Sequence, residues 1–302
     1  MRIYAEAPSR ISLLGGGTDL PSYSEKYGGV CYSIAINLKH RFWLDTKVDK
    51  NYLFLPEKGN SKFYEAFLNH FGIKHYQLRC ETDAPIETGL GSSATAGACM
   101  VAMANRLLGL NLTKDEIAEK VWDIEVNTLG FYGGRQDQYA AVYGGANFFE
   151  FKKDIVHVNK TVFLYQKSLL LFDTGLRREN PKLQDNMKIL SPEKIKILHE
   201  IKSLANLYGS GITLHELLRK GWELKKKSNS VSSDKIDKIY DTGISCGAKA
   251  GKLLGSGGGG FMVFWAEPEA QEKIKNALKE LGCTWYDFEI SESGVTTRIL
   301  PE

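Results

Sequence analysis

Residue types suited to binding phosphate lie between Pro85 and Ala98, in the string PIETGLGSSATAGA. This string follows an alternating run, Tyr76 to Thr82, which predicts a half-buried strand, and the Ala- and Gly-rich stretch from Ala94 to Leu108 predicts a tightly packed helix. The loop would then place backbone N–H groups and the Ser92 and Ser93 hydroxyls at a helix N-terminus, which carries roughly half a positive charge. We expect it to bind phosphate, although a Gly/Ser turn that merely caps a helix has the same pattern.

The loop differs from the two commoner phosphate loops. It has no Lys-Ser/Thr after its second glycine, as a Walker A loop needs, and no GxGxxG, as a dinucleotide-binding fold needs. The string P-x-x-x-G-L-G-S-S-A instead resembles the ATP-binding loop of the GHMP kinases, the family of galactokinase, homoserine kinase, mevalonate kinase and phosphomevalonate kinase. The resemblance implies that the phosphates of ATP are bound by Gly89, Leu90, Gly91, Ser92, Ser93 and Ala94.

A second segment, Ala7 to Tyr23, reads APSRISLLGGGTDLPSY. It resembles the sugar-binding motif that galactokinases write as P-x-R-x-x-x-x-G-E-H-T-D, with Arg10 and Asp19 on its Arg and Asp. Three glycines, 15 to 17, replace Gly-Glu-His, which argues against galactose itself. A glycine-rich turn with Asp19 as a helix N-cap is the alternative. The residues that the resemblance assigns to the substrate here are Gly16, Gly17, Thr18 and Asp19.

A third segment, Gly130 to Gly145, reads GFYGGRQDQYAAVYGG and has a glycine pair on each side of Asp137. Asp137 matches the catalytic Asp of the galactokinase-like branch. The resemblance implies that Asp137 accepts the proton of a substrate hydroxyl, that Arg10 holds its carboxylate, and that Gly134 and Arg135 contact the substrate. General-base help of this kind is worth ~10²–10⁴ in rate. The alternative is that Asp137 only caps a helix.

Magnesium is the metal that the resemblance implies. Mg²⁺ prefers oxygen ligands and keeps several waters, so that a hydroxyl and a carboxylate are a sufficient protein contribution. Ser93 and Glu125, the latter in VWDIEVNTLG, are the ligands that the resemblance supplies. Considered alone, Glu125 has the pattern of a solvated helix glutamate.

A fourth segment, Leu253 to Trp265, reads LLGSGGGGFMVFW. It resembles the third glycine-rich motif of the family, a loop that packs against the phosphate loop and the substrate. The resemblance implies substrate contacts for Gly257, Gly258 and Gly259. Four consecutive glycines rarely arise for packing alone, because each raises the entropy cost of folding.

A finer resemblance is to the D-glycero-D-manno-heptose 7-phosphate kinases and the related fucokinase-type sugar kinases. It rests on GGGTD, on GGRQDQYAA, in which Arg135 replaces the Lys of many such enzymes, and on DTGLRRE, residues 173–179. It implies ATP-dependent phosphorylation of the anomeric (C1) hydroxyl, giving a 1,7-bisphosphate for nucleotide-activated heptose synthesis. The 7-phosphate would need cations, for which Arg177, Arg178 and Lys182 are candidates. A solvated basic turn is the alternative.

Other functions stay open at this point. Another sugar 1-kinase, acting on fucose or a hexose, fits the same motifs. Isoprenoid-pathway kinases of the family lack the Asp-Gln-Tyr segment together with GGGTD. A non-catalytic sensor of ATP and sugar is disfavoured because Arg10, Ser93, Glu125 and Asp137 are all retained. An NAD-dependent dehydrogenase is disfavoured by the missing GxGxxG.

The composition is that of an ordinary globular chain of 302 residues, 43% hydrophobic and 25% charged. A net charge of +3 is too small to imply a nucleic-acid or membrane partner, and we interpret Lys225 to Lys227 as a solvated helix end. Five scattered cysteines and the lack of a signal pattern predict a cytoplasmic protein. Its partner would be a small-molecule sugar or sugar phosphate, with a homodimer as one option for its assembly.

Periodicity predicts an α+β protein. Strand-like runs are followed by amphipathic helical patterns. The family resemblance implies a two-domain GHMP kinase fold with the active site in the cleft between the domains. The N-terminal, ribosomal-protein-S5-like α/β domain would span residues 1–155, and the C-terminal, ferredoxin-like domain would span 156–302. The runs that predict strands are Ile3–Ala5, Val30–Ile36, Phe42–Val48, Tyr76–Thr82, Asn147–Phe151, Leu169–Asp173, Phe261–Ala266 and Thr284–Ile290, and helices are predicted from Pro192, over Leu214–Lys227, over Ser233–Leu254 and from Pro268 to Gly282.

Overall fold

The protein is described here from a computed structural model, which covers residues 1–56, 59–153, 155–177, 190–228 and 231–301. The strands are β1 (Arg2–Leu14), β2 (Gly29–Asp45), β3 (Tyr52–Phe54), β4 (Gln77–Thr82), β5 (Ala146–Lys152), β6 (Ile155–Thr161), β7 (Leu169–Asp173), β8 (Ala250–Leu253), β9 (Phe261–Trp265), β10 (Thr284–Tyr286) and β11 (Thr296–Leu300). The helices are α1 (Pro21–Tyr27), α2 (Ser61–His70), α3 (Ser92–Leu108), α4 (Lys114–Asp123), α5 (Gln136–Tyr143), α6 (Pro192–Asn206), α7 (Leu214–Ser228), α8 (Asp234–Ser245) and α9 (Pro268–Glu280).

A large mixed sheet is built around the long antiparallel pair of β1 and β2. Among the described residues its strand order is β11-β1-β2-β4-β3, and β5 joins β2 and carries β6. The 17-residue strand β2 pairs with β4 at one end and with β5 at the other. Helix α3 packs on this sheet, and its residues from Ala94 to Ala104 are buried. The alanines and the glycine among them let the helix that follows the phosphate loop lie close to β1 and β2.

A smaller antiparallel sheet has the order β10-β7-β9-β8. Its central strands are buried on both faces, and alternate side chains enter different clusters. Leu171 and Val263 pack with the β1–β2 side of the molecule, whereas Phe172 and Phe264 pack with α8 and α9. This two-residue alternation is the geometry of a strand covered on both sides.

The predicted fold class is confirmed, as are most of the predicted elements. The predicted helix over Ser233–Leu254 is wrong in its second half: α8 ends at Ser245, Gly247 has a φ of +113°, and Ala250–Leu253 forms β8 against β9. A glycine in this backbone region interrupts a helix, and pairing with β9 overrides the local pattern. The two strands predicted over Val30–Ile36 and Phe42–Val48 are the single strand β2.

The domain boundary at residue 155 stays a prediction. Strand pairing does not follow a linear division, because β6 and β11 both lie in the large sheet. Four of the five cysteines are buried. No described helix combines the length and the apolar composition needed to cross a lipid bilayer.

Gly260, directly before β9 of the small sheet, lies against Thr88 at the start of the phosphate loop. Its φ is +97°, and a Cβ there would lie 2.2 Å from the carbonyl oxygen of Thr88. The Phe261 N–H donates to the same carbonyl at 2.8 Å. The approach between the start of β9 and the phosphate loop therefore requires a residue without a side chain.

We expect Gly260→Ala to lower the thermal unfolding midpoint more than the matched Gly282→Ala. Gly282 has a similar φ of +82° but open space around the position of a Cβ. Both substitutions place alanine in the left-handed region, at a cost of about 1–2 kcal/mol, and only Gly260→Ala adds a clash with backbone, worth roughly 1–3 kcal/mol more. Calorimetry on both variants measures the difference, and equal losses would show that the contact at Thr88 is not tight.

Candidate active site

A cleft of about 750 Å³ opens where the phosphate loop meets the start of the C-terminal half of the chain. Both sheets contribute to its walls, so that most of the motifs from the sequence meet around one space. Residues on its walls that were predicted from the sequence are Arg10, Gly16, Gly17, Asp19, Gly89, Gly91, Ser92, Ser93, Ala94, Glu125, Gly134, Asp137 and Arg177.

The centre of the cleft holds an ion pair between Arg10 on β1 and Asp137 on α5, 127 residues apart in sequence. The Arg10 Nε donates to Asp137 Oδ1 at 2.7 Å, and a terminal guanidinium nitrogen donates to Oδ2 at 2.7 Å. The other terminal nitrogen donates to the carbonyl of Gly89 at 2.6 Å. The Arg10 side chain is 5% exposed and that of Asp137 is 32% exposed. The arginine is therefore the buried support, and the carboxylate faces the cleft.

The phosphate loop lies directly beside this pair. Gly91 begins α3 with a left-handed φ of +79°, and a Cβ there would lie 3.4 Å from Arg10 and 3.5 Å from Asp137. Within the described part of the chain, no side chain caps the N-terminus of α3. Because the N–H groups of a first helical turn have no partner within the helix, this end can bind an anion. Ser92 and Ser93 line the cleft here, whereas Leu90 is buried in the core.

Glu125 lies in a π-helical turn, Ile124–Thr128, that follows α4. Its side chain is buried, so the interpretation as a solvated glutamate is wrong. Gln138 donates to Oε2 at 2.5 Å, while the buried Oε1 has no hydrogen-bond partner among the residues that the structure describes. Turns of this kind occur often at functional sites.

Burial raises the pKa of Glu125 to about 7, and the negative charge of Asp137 adds to the rise. The Ser93 hydroxyl and Gln138 act against it, Ser93 without reaching the geometry of a full hydrogen bond. A buried carboxylate oxygen without a partner is costly, and a hard cation would satisfy it. The Ser93 hydroxyl and the Glu125 carboxylate are therefore a donor set that fits Mg²⁺.

Asp19 links the glycine loop, residues 15–17, to the start of α5. Its Oδ1 accepts from the Gly17 N–H at 3.1 Å and its Oδ2 from the Gln136 N–H at 3.3 Å. A Cβ on Gly134 would lie 1.9 Å from Oδ2, so that glycine is required beside it. Burial, followed by the charge of Asp137, raises the pKa of Asp19. The alternative that Asp19 caps the next helix is wrong, because Leu20 occupies the N-cap of α1 without a side-chain bond.

Arg135 and Thr18, two predicted substrate contacts, are not among the described residues that line the cleft. The Arg135 guanidinium bonds Glu119 at 2.9 Å and lies 3.8 Å from the ring centre of Trp122. The Thr18 hydroxyl is buried and donates to the carbonyls of Gly15 and Val30. Both side chains hold the loops that form the cleft.

The glycine-rich segment from Leu253 to Trp265 packs closely against neighbouring backbone. A Cβ on Gly255 would lie 2.6 Å from Gly89, so the motif packs against the phosphate loop as expected. Gly257 lies against Val231 and Gly259 against the carbonyl of Leu176, and the Gly258 N–H donates to Val231. Gly257, Gly258 and Gly259, for which the resemblance implies substrate contacts, are not among the described residues that line the cleft.

Arg177 lines the cleft and forms a bidentate pair with Asp173, at 2.7 and 2.8 Å. Arg178 and Lys182, the other two predicted cations, lie outside the described residues. The structure adds Lys225, whose Nζ donates to the carbonyl of Gly255 at 2.5 Å and which was interpreted as part of a solvated run.

Sequence reasoning missed two further lysines on the cleft wall. Lys194 is buried in the first turn of α6, and burial lowers its pKa. Lys252 is buried in β8. Lys252 stands directly before the fourth motif, in KLLGSGGGG, and that adjacency is a signal that could have drawn attention to it.

Comparisons with known proteins show the family of this chain. Residues 60–145 match the model of the GHMP kinase N-terminal domain, and residues 198–282 match that of the GHMP kinase C-terminal domain. The chain is 31% identical to a D-glycero-alpha-D-manno-heptose 7-phosphate kinase of Campylobacter jejuni, over 97% of this chain and 98% of that protein. This chain belongs to the GHMP kinase family. The predicted class of enzyme, a phosphotransferase with the two-domain GHMP kinase fold, is confirmed.

Other GHMP kinases show how far the similarity extends. A mevalonate kinase of Thermococcus gammatolerans is 24% identical over 98% of each chain. A crystal structure of a D-glycero-D-manno-heptose 1-phosphate kinase from Bacteroides thetaiotaomicron is 26% identical, with a TM-score of 0.82 over 99% of this chain and 100% of that one. Lactococcus lactis galactokinase, complexed with galactose, has a TM-score of 0.79 at 16% identity, over 98% of this chain and 95% of that one, and shows the fold alone.

We expect the metal-free protein to lose thermal stability as the pH rises through about 7, and Glu125→Gln to lose this part of the pH dependence. Because the folded-state pKa of Glu125 lies above its ordinary value of 4.5, its proton stabilises the folded protein below about 4.5, and that stabilisation is lost as the pH rises through about 7. Mg²⁺ needs the charged form, so its affinity should rise over the same range.

Differential scanning calorimetry from pH 5 to 8, with and without Mg²⁺, measures both effects. Glu200→Gln, on the exposed side of α6, is the control. Identical pH profiles for the wild type and Glu125→Gln would contradict this account of the carboxyl group.

Proposed function

We propose that this chain transfers the γ-phosphoryl group of ATP to the anomeric hydroxyl of a sugar, and that the sugar is a D-glycero-D-manno-heptose 7-phosphate. The observation that carries the proposal is the bidentate pair of Arg10 and Asp137 beside the phosphate loop. The full-length similarity to a heptose 7-phosphate kinase supports the choice of acceptor.

The reaction needs a base at the acceptor hydroxyl. A carboxylate has about four lone-pair positions, and Arg10 occupies one on each oxygen, so that Asp137 can still accept a proton from a hydroxyl in the cleft. Because Arg10 is buried and also bonded to Gly89, the carboxylate is held in one orientation. Phosphoryl transfer asks for little covalent chemistry from the protein, and positioning supplies much of the rate.

The donor end of the cleft suits the phosphates of ATP. The N-terminus of α3 and the loop from Gly89 to Ser93 would hold them, with Arg10 at the boundary to the acceptor. Ser93 and Glu125 would hold Mg²⁺, which when bound neutralises the charge of the β- and γ-phosphates. The orphaned Oε1 of Glu125 supports this assignment.

The acceptor end is lined by the glycine loop, by Asp19 and by the backbone around Gly134. Glycines leave room for a hydroxyl-rich ligand to approach the backbone closely. Arg177 and Lys194, two cations of the C-terminal half, also line the cleft, where they would interact with an anionic substituent of a sugar. This arrangement supports a sugar phosphate over an uncharged hexose.

Turnover with a panel of acceptors tests the proposal. The panel consists of heptose 7-phosphate, heptose, fucose, galactose, mannose and mevalonate, with ADP release as the readout. We expect the highest kcat/KM with heptose 7-phosphate. Preference for an unphosphorylated sugar would leave a sugar 1-kinase of another specificity, preference for mevalonate would overturn the sugar assignment, and ATP binding without turnover would point to a sensor.

We expect Asp137→Asn to lower kcat by about 10²–10⁴ while ATP affinity changes less than about threefold. The substitution removes the base and its charge and leaves the phosphate loop in place. Steady-state kinetics and a nucleotide-binding titration give the two numbers, and Asp49→Asn, in an exposed loop, is the control. Turnover at the wild-type rate would exclude Asp137 as the base.

A further inference from the structure

Lys252 is a buried lysine at the point where the C-terminal half of the chain meets β1. Its Nζ donates to the carbonyl of Ser12 at 2.8 Å and to that of Leu13 at 3.0 Å, residues 240 and 239 positions away in sequence. The residue is 7% exposed and borders the cleft. A lysine side chain from the small sheet therefore holds the backbone of a strand in the large sheet.

The two carbonyls lie at an irregularity of β1. The pairing of β1 with β2 shifts between Ser12 and Leu14, and Leu13 has no partner in the register. A bulge takes backbone groups out of the ladder and re-aims the side chains next to it. Buried carbonyls need donors, and the Lys252 Nζ supplies one to each of the two carbonyls at this bulge.

A chain of hydrogen bonds leads from this bulge to Asp137. The Ser12 hydroxyl donates to Gln136 Oε1 at 2.9 Å, and Gln136 Nε2 lies 3.4 Å from Asp137 Oδ1. The same Oδ1 accepts from Arg10, two residues before Ser12 on β1. Both groups that bond this oxygen are thus connected to the same short part of β1, Arg10 as a member of the strand and Gln136 through the Ser12 hydroxyl.

Packing alone does not account for a lysine here. The other β8 residues, Ala250, Gly251 and Leu253, are buried and carry no charge. Burial, and then the positive charges of Lys225 and Arg10, lower the pKa of Lys252 well below its ordinary value. An apolar side chain of similar length would fill the space without this cost, so what the lysine adds is its hydrogen-bond donors.

We propose that Lys252 is a positioning residue for phosphoryl transfer, which holds the bulged end of β1 and, through Ser12 and Gln136, fixes the Asp137 carboxylate toward the acceptor hydroxyl. The inference rests on the proposed function, because it concerns the geometry of that reaction. Lys252, from the C-terminal half of the chain, thereby helps to orient a base that lies on the large-sheet side of the cleft.

A double-mutant cycle tests this role. Lys252→Met, Ser12→Ala and the double variant are compared with the wild type for kcat and for both KM values, and Lys249→Met, an exposed lysine paired with Glu267, is the control. We expect each single variant to lower kcat about 10- to 100-fold while KM for ATP changes less than about threefold. The double variant should fall no further than the worse single variant, because both interrupt one chain.

Several results would overturn the inference. They are an unchanged kcat in folded Lys252→Met, an unchanged kcat in Ser12→Ala, effects that multiply in the double variant, and a rise in KM alone. Should Lys252→Met fail to fold, Lys252→Gln and the Ser12→Ala result carry the test. Wild-type protein that turns over none of the acceptors contradicts the proposed function and this inference with it, whereas wild-type turnover that Lys252→Met retains contradicts the inference alone.

Discussion

The bidentate pair of Arg10 and Asp137 is the interaction on which the cleft depends. It joins the first strand of the chain to α5 and fixes the carboxylate between the phosphate loop and the glycine loop. A Cβ on Gly134 would clash with Asp19 beside the pair, whereas a Cβ on Gly91 would lie at contact distance from the pair itself. The surrounding fold is arranged so that backbone approaches the two charges closely and the arginine stays out of water.

Buried charge is the second constraint. Asp19, Glu125 and Lys252 all lie in the walls of the cleft with little exposure to solvent. Burial raises the pKa of the two acids and lowers that of the lysine, so that the neutral form of each group is favoured. Effective desolvation costs are several kcal/mol per ion, which the folded chain offsets with backbone hydrogen bonds and with the apolar clusters around both sheets. Buried ionisable groups with this desolvation cost are typical of a site that binds a charged ligand.

Short sequence motifs predict several parts of this site. The strand, loop and helix around Ser92, the Asp137 helix start and the importance of Arg10 all follow from short motifs. The burial of Glu125 could not be predicted, since it depends on a π-helical turn and on Gln138 from another helix. The direction of Arg135 depends on Glu119 and Trp122, which a motif does not specify. The proposed role of Lys252 could not be predicted either, since it depends on the bulge in β1, 240 residues away.

The most direct test of the account is where the new phosphate appears. In ³¹P NMR of the wild-type protein with ATP and heptose 7-phosphate, we expect a new phosphate resonance split by coupling to the anomeric proton, together with ADP. Asp137→Asn should give neither signal on the same time scale. A phosphate on any other hydroxyl, or the same product rate from Asp137→Asn, would contradict the claim that Arg10 and Asp137 direct phosphoryl transfer to the anomeric oxygen.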